Sequence, residues 1–173
     1  MSFDIVRGSI SKPQQTRELI SGISEYFNNS GDKGTLYLGY PLTANSDSKV
    51  TIDALMVSEK RGMVAFVFGN HSSSADELKD DQDALYYHLD FYLKKYGSLR
   101  QGRKTVVTPI VITFIVDATE SLTSSDEYIF STPEKIIDTL ENLPLFDKRY
   151  YKSLCEALQK LTNIRPNKKR RNI

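Results

Sequence analysis

The sequence has little cysteine, little histidine and no long hydrophobic run, and each shortage closes off a class of protein. Its single cysteine, Cys155, excludes an internal disulfide framework and a cysteine-rich zinc site. Cys155 lies among Leu154, Ala157, Leu158 and Leu161 at helical spacing, so it reads as a packed thiol rather than a nucleophile. The two histidines, His71 and His88, have no acidic or cysteine partner at ligand spacing and read as surface or satisfied side chains. No apolar run approaches the roughly 20 residues that span a bilayer, and no N-terminal stretch joins a basic segment, an apolar run and a small-residue cleavage site. No membrane partner is expected, and the chain is expected to be soluble and cytoplasmic. No Walker A sequence occurs, so this chain holds no ATP by that route. No internal repeat is present.

What the sequence does hold is enough apolar material for one core. At 173 residues and 39% hydrophobic, its length requires no second domain. The net charge of +1 hides an uneven distribution, because Arg165, Lys168, Lys169, Arg170 and Arg171 all fall in the last nine residues, and without those five residues 1–164 carry −4. An acidic body grips a polyanion poorly, since phosphate neutralisation supplies most non-specific nucleic-acid affinity. Contact between the body and nucleic acid therefore has to be local. The domain is expected to span 1–164. The basic run over 165–173 lacks apolar periodicity and reads as a solvated tail or linker, or as a phosphate-contacting arm carried by Lys168, Lys169, Arg170 and Arg171.

Apolar spacing predicts a helix over Gln14 to Phe27, stopped by Asn28-Asn29-Ser30-Gly31. A β-rich run from Thr35 to Tyr40 follows, ended by Pro41. Val50 to Val57 and Met63 to Phe68 read as a hairpin joined by the polar Ser58 to Gly62. The stretch His71 to Asp81 reads as a loop, followed by a helix through Leu85, Leu89, Tyr92 and Leu93. Val106 to Val116 is an apolar, β-branched run that suits a strand covered on both faces. A short strand at Tyr128 to Phe130, a helix opened by a capping Thr132 with Pro133 at its first position, and a last helix over Lys148 to Leu161 complete the pattern. The order predicts one α/β domain, a mixed sheet with helices on its faces.

The hairpin is where chemistry belongs. Metal-dependent phosphodiester cleavage needs oxygen ligands for Mg²⁺ and a cation near the scissile phosphate. A hairpin supplies them with an aspartate on its first strand and an acid and a lysine two apart on its second, since residues two apart share a face. Gly39-Tyr40-Pro41-Leu42, then Ile52-Asp53, then the run from Gly62 to Asn70 together resemble the PD-(D/E)xK nuclease superfamily, and within it the nuclease-related domain called NERD. The resemblance spans roughly residues 14–162 and implies a restriction-endonuclease-like core. Gln82, four residues before Tyr86, is similar to the glutamine helix motif of the exonuclease branch, and Glu25 to the helical acidic position.

Two departures decide what the resemblance implies. The motif's glutamate position holds Val67 and its lysine position holds Gly69. Val67 binds no metal and Gly69 carries no charge, so Asp53, Val67, Gly69 and Gln82 read as vestigial positions with no catalytic residue among them. Electrostatic stabilisation is usually the largest catalytic term, and it is missing here. A metal, if bound, would rest on Asp53 and Glu25. Glu59-Lys60 and Lys94-Lys95 are the groups that could swing inward to rescue the site. Asp53 equally suits a plain bond to backbone amides, and Gln82 and Tyr86 equally suit capping and packing.

Domains of this kind precede superfamily 1 DNA helicases in bacteria, so the resemblance implies an inactive accessory domain that positions DNA or contacts a motor domain in the same polypeptide. The chain then needs no cofactor of its own: Mg²⁺ enters only with a rearranged site, and ATP only in helicase residues absent here. The alternatives are a Mg²⁺-dependent nuclease with a rearranged site and a protein-interaction module.

Overall fold

Pro13 at the first helical position and Gly31 in the left-handed region (φ 71°) bracket the first helix, α1 (Pro13–Ser30). Thr16, Leu19, Ile23, Tyr26 and Phe27 form its buried face, the three-and-four spacing of an amphipathic helix. The computed structural model describes residues 3–43, 49–70, 72–95, 99–101, 104–116, 124–125 and 127–158. Ahead of α1 lies β1 (Phe3–Arg7); after it come β2 (Gly34–Thr43), β3 (Lys49–Ser58) and β4 (Gly62–Phe68). Then follow α2 (Ala75–Leu93), a two-strand ribbon of β5 (Arg100–Gln101) and β6 (Lys104–Thr105), β7 (Ile110–Phe114), β8 (Ile129–Ser131) and α3 (Ile136–Glu141). A 3₁₀ turn over Lys148–Tyr150 leads into a last helix, α4, over 151–158.

The main sheet has the order β1-β2-β3-β4-β7-β8. The β2-β3-β4 meander is antiparallel, while β1 on β2, β7 on β4 and β8 on β7 run parallel. Alternation along the strands sends side chains to two separate cores. Leu36, Leu38, Met56, Phe66 and Phe114 pack with α1 and α3 on one face; Leu55, Val57, Met63 and Ala65 pack with α2 and α4 on the other. Both faces of β3 and β4 are thus covered. From α1 to β7 the main-sheet order is helix, three strands, helix, strand, and the expected class, a mixed sheet flanked by helices, stands.

Several expectations shift. The edge strand β1 carries no strong pattern and is added to the order. Pro41 does not end β2, which continues to Thr43 with Pro41 opposite Thr51. The β1 partners stop at Leu38, so Pro41 lies where one edge of β2 is open and its missing N–H costs no ladder bond. The stretch to Asp81 is not a loop: α2 starts at Ala75, because Ser74 Oγ accepts from the Glu77 N–H and the Glu77 carboxylate accepts from the Ser74 N–H, a complete capping box.

The apolar run Val106 to Val116 yields a ladder only over β7. Pro109 precedes it, and Val107 is buried against the α2 side without joining the sheet. Thr132 does not cap α3; its carbonyl accepts from Lys135 N–H in a turn, and Lys135 holds the cap position. Leu161, the 164/165 boundary and the basic run lie outside the described residues.

A candidate site at the end of the central hairpin

The β3–β4 ladder runs from Ser58↔Gly62 to Ala54↔Phe66. One residue beyond, a side chain takes over from the backbone: Asp53 Oδ2 accepts the Phe68 N–H at 2.9 Å. Lys12, the residue before Pro13, reaches the same point. Its Nζ donates to the Phe68 carbonyl at 3.3 Å and stands 3.6 Å from Asp53 Oδ2. The Asp53 side chain is 18% exposed and that of Lys12 42%. Asp53 therefore closes the hairpin end and ties it to the first turn of α1. The locus lies at the C-terminal ends of the parallel β4 and β7, a common position for sites in sheets of this type.

Positions 67 and 69 turn into apolar packing on the α2 side. Val67 packs against the α2-side cluster. A Cβ at Gly69 would meet Ile115 Cγ1 at 2.8 Å, Thr113 Cγ2 at 2.9 Å and Leu78 Cδ2 at 3.1 Å. Position 69 is filled space, not an open cleft. Gln82, 3% exposed, donates through Nε2 to Thr113 Oγ1 and to the Ile129 carbonyl, both at 2.8 Å. It joins α2 to β7 and β8 rather than capping helix-start amides. Tyr86 packs partly buried on the α2-side core.

The structure does not bring Glu25 to Asp53. Glu25 is exposed on α1, and the 13 residues from Lys12 to Glu25 correspond to about 20 Å along the axis at 1.5 Å per residue. Nor do the rescue groups turn inward: Glu59 pairs with Lys33 at 3.3 Å, Lys60 Nζ donates to the Ser30 carbonyl, Lys94 pairs with Asp90 and Lys95 lies over the Phe91 ring. Mg²⁺ demands near-octahedral oxygen ligation. Asp53 offers one carboxylate already engaged by an amide and an ammonium, beside an apolar Val67 and a Gly69 with no room, so these residues do not fit that ion. Among the described residues no group of three or more His, Cys, Asp or Glu could hold a metal. Lys168, Lys169, Arg170, Arg171 and His71 lie outside the described residues.

Three features escaped the sequence reading. Lys12 carries no motif; a lysine before a helix-opening proline is the only sign. Arg7 and Arg17 line a groove of about 440 Å³ with Ile10, Pro13, Thr16 and Ile20, so cations gather at the start of α1 on a body of net negative charge. At the opposite end of α1, Asp32 is 1% exposed; its carboxylate accepts from Tyr26 Oη and from the Lys33 and Lys60 N–H groups. Arg61 donates to Tyr26 Oη and to the Leu143 carbonyl. Burial pushes the Tyr26 phenol up to about 12, with Arg61 opposing and Asp32 adding to the rise. This network fastens α1, the hairpin turn and the 143–146 segment.

Cys155 is half-buried, and burial raises its thiol while the Tyr151 hydrogen bond lowers it, which suits a packed thiol. Among the described residues no helix is long and apolar enough to cross a membrane. No family model, curated protein or solved structure matches the chain.

Proposed function

We propose that the chain is a catalytically inactive, nuclease-like accessory domain of a bacterial DNA helicase, positioning DNA or contacting the motor domain. One observation carries the inactive reading: Asp53 spends its carboxylate on the Phe68 amide and Lys12, while the positions that would complete a metal site serve packing. The helix-strand-strand-strand-helix-strand order around this hairpin supports the nuclease ancestry. Arg7, Lys12 and Arg17 around the start of α1 supply the local positive charge that phosphate contact requires of an otherwise acidic body.

The test is incubation of the full chain with labelled duplex and single-stranded DNA and Mg²⁺ or Mn²⁺. No cleavage is expected, together with salt-dependent binding that Arg7→Gln/Arg17→Gln weakens. Cleavage abolished by Asp53→Ala would overturn the inactive reading, and no binding at low salt would favour a protein-interaction module.

Lys12 favours one second reading, a nuclease with a rearranged site. It brings to Asp53 the cation that position 69 lacks. Loss of cleavage in Lys12→Met would identify that case.

A further inference from the structure

The solvent side of α2 is unlike an ordinary polar helix face. Tyr87 is 70% exposed and Phe91 52%, four residues apart and so neighbours on one stripe. Continuing that stripe toward the helix start, the 3.6-residue repeat places Asp76, Asp80 and Asp83 beside it. The helix carries six carboxylates (Asp76, Glu77, Asp80, Asp81, Asp83 and Asp90) against one lysine, Lys79. Asp83 accepts from Tyr128 Oη and Asp90 pairs with Lys94, whereas Asp76 and Asp80 have no ion pair among the described residues. Phe91 already takes one cation, Lys95 Nζ at 4.8 Å from its ring centre. Two exposed aromatic rings, Phe91 with Lys95 on one face and Tyr87 edge to face with Tyr86, beside carboxylates without ion pairs match a segment rich in arginine and lysine, which pairs with the acids and stacks on the remaining ring faces. They repel a phosphate backbone.

The chain holds such a segment within reach. Tyr92 Oη donates to the Ala157 carbonyl at 3.0 Å, and Leu158 packs with Leu89 and Leu93, so the chain continues past 158 from beside the C-terminal end of α2. From Tyr92 to Asp80 is about 18 Å along the helix, and the 11 residues from Ala157 to Lys168 can span roughly twice that distance. Exposed ion pairs are individually weak, but a short tether holds the partner at an effective concentration on the order of millimolar. We infer that the outer face of α2, from Asp76 to Phe91, is a docking surface for the chain's own basic run, Arg165 to Arg171. Docked there, the run is withheld from nucleic acid, and release by competing phosphate would couple the two. The inference stands apart from the nuclease ancestry and does not need it.

A nitroxide placed on Asn172→Cys in the full chain, with Cys155→Ala removing the native thiol, reads the contact through amide signals. At ~50 mM salt the amides from Asp80 to Phe91 are expected to lose about half their intensity or more, those of α1 on the opposite sheet face none, and the loss reverses at ~0.5 M salt. Lys168→Gln/Lys169→Gln/Arg170→Gln/Arg171→Gln abolishes it, and Asp76→Asn/Asp80→Asn reduces it. Unbroadened α2 amides at low salt overturn the inference, as does broadening indifferent to these charge changes. Broadening of isotope-labelled chains by separately spin-labelled ones places the occupant on a second copy and overturns it too.

Discussion

Replacing Asp53 separates a structural carboxylate from a metal ligand, because the two roles move stability in opposite directions. In the structure Asp53 Oδ2 accepts the Phe68 N–H at 2.9 Å and faces Lys12 at 3.6 Å. Phe68 is 5% exposed, so Asp53→Ala leaves its amide with little access to water. A hydrogen bond to a charged acceptor contributes about 1.5–3 kcal/mol, and the 18% exposure of the Asp53 side chain puts this one near the lower end. The Lys12 pair, with that side chain 42% exposed, adds well under about 1 kcal/mol.

The loss is therefore about 2 kcal/mol, or a fall of roughly 4–8 °C in Tm for a domain of this size. Asp53→Asn retains an acceptor for the amide and is expected to lose about half as much. Thermal and urea unfolding, each with and without Mg²⁺, measure both. A metal ligand predicts the reverse: the wild type gains stability with Mg²⁺ through mass action, and Asp53→Ala loses that gain. An Asp53→Ala protein that melts at or above the wild type, joined to a Mg²⁺-dependent rise confined to the wild type, would refute the structural assignment.

Other substitutions probe the remaining parts. Tyr26 has its folded value raised to about 12, so its stabilising contribution is complete below the ordinary phenol value near 10 and is lost as pH climbs from there to about 12. Urea unfolding across that window is expected to show falling stability, with a shallower fall in Tyr26→Phe; an equal fall in both would sink the idea. Restoring the motif as Val67→Glu/Gly69→Lys is expected to cost at least about 3 kcal/mol, since it forces a side chain into Ile115, Thr113 and Leu78 and buries charge. A variant that folds with wild-type stability and cleaves DNA would refute this. Gln82→Ala is expected to cost about 1–3 kcal/mol by stripping partners from the Thr113 hydroxyl and the Ile129 carbonyl; a loss below a few tenths would show that the bonds carry little. Ser74→Ala removes the α2 cap at about 1 kcal/mol, and amide exchange in the first turn of α2 should rise selectively.

The hairpin, α1 and the two-sided burial of β7 were readable because each has a strong period, a sharp terminator or a continuous apolar run. Val50 to Val57 and Met63 to Phe68 are two apolar, β-rich runs, and Gly62 at φ 79° marks the turn between them. Missed elements are those whose signal is weaker than their context. Phe3 to Arg7 alternates too briefly to stand out, and becomes a strand because β2 offers it an edge. Ser72 to Asp81 is polar but for Ala75 and Leu78, and its composition hid the Ser74 and Glu77 pair that starts the helix. The site was readable as a set of positions, not as an arrangement. Val67 and Gly69 are legible as residues that bring neither ligand nor charge, whereas the packing of Leu78, Thr113 and Ile115 around position 69 is visible only in the structure. Lys12 lies 41 positions from Asp53 in sequence, and no local pattern joins them.

The packing at positions 67 and 69 limits what a substitution there can do. In a working site of this kind, positions 67 and 69 would carry charge toward a wet cleft, and the strand end would tolerate water beside it. Here Gly69 lets Leu78 of α2 approach the strand, Val67 packs half-buried against the neighbouring α2-side cluster, and Gln82 bonds across to β7 and β8. These contacts share neighbours, so their energies are coupled rather than additive. A charge introduced at 69 must first displace Leu78 of α2, Thr113 and Ile115. Asp53 has a structural role that needs no catalysis: its carboxylate supplies the acceptor that the β3–β4 ladder lacks at Phe68, and holds α1 through Lys12. A carboxylate held by that bond and the Lys12 pair is expected to tolerate asparagine, which keeps an acceptor for the Phe68 amide, better than alanine, which leaves it unpaired.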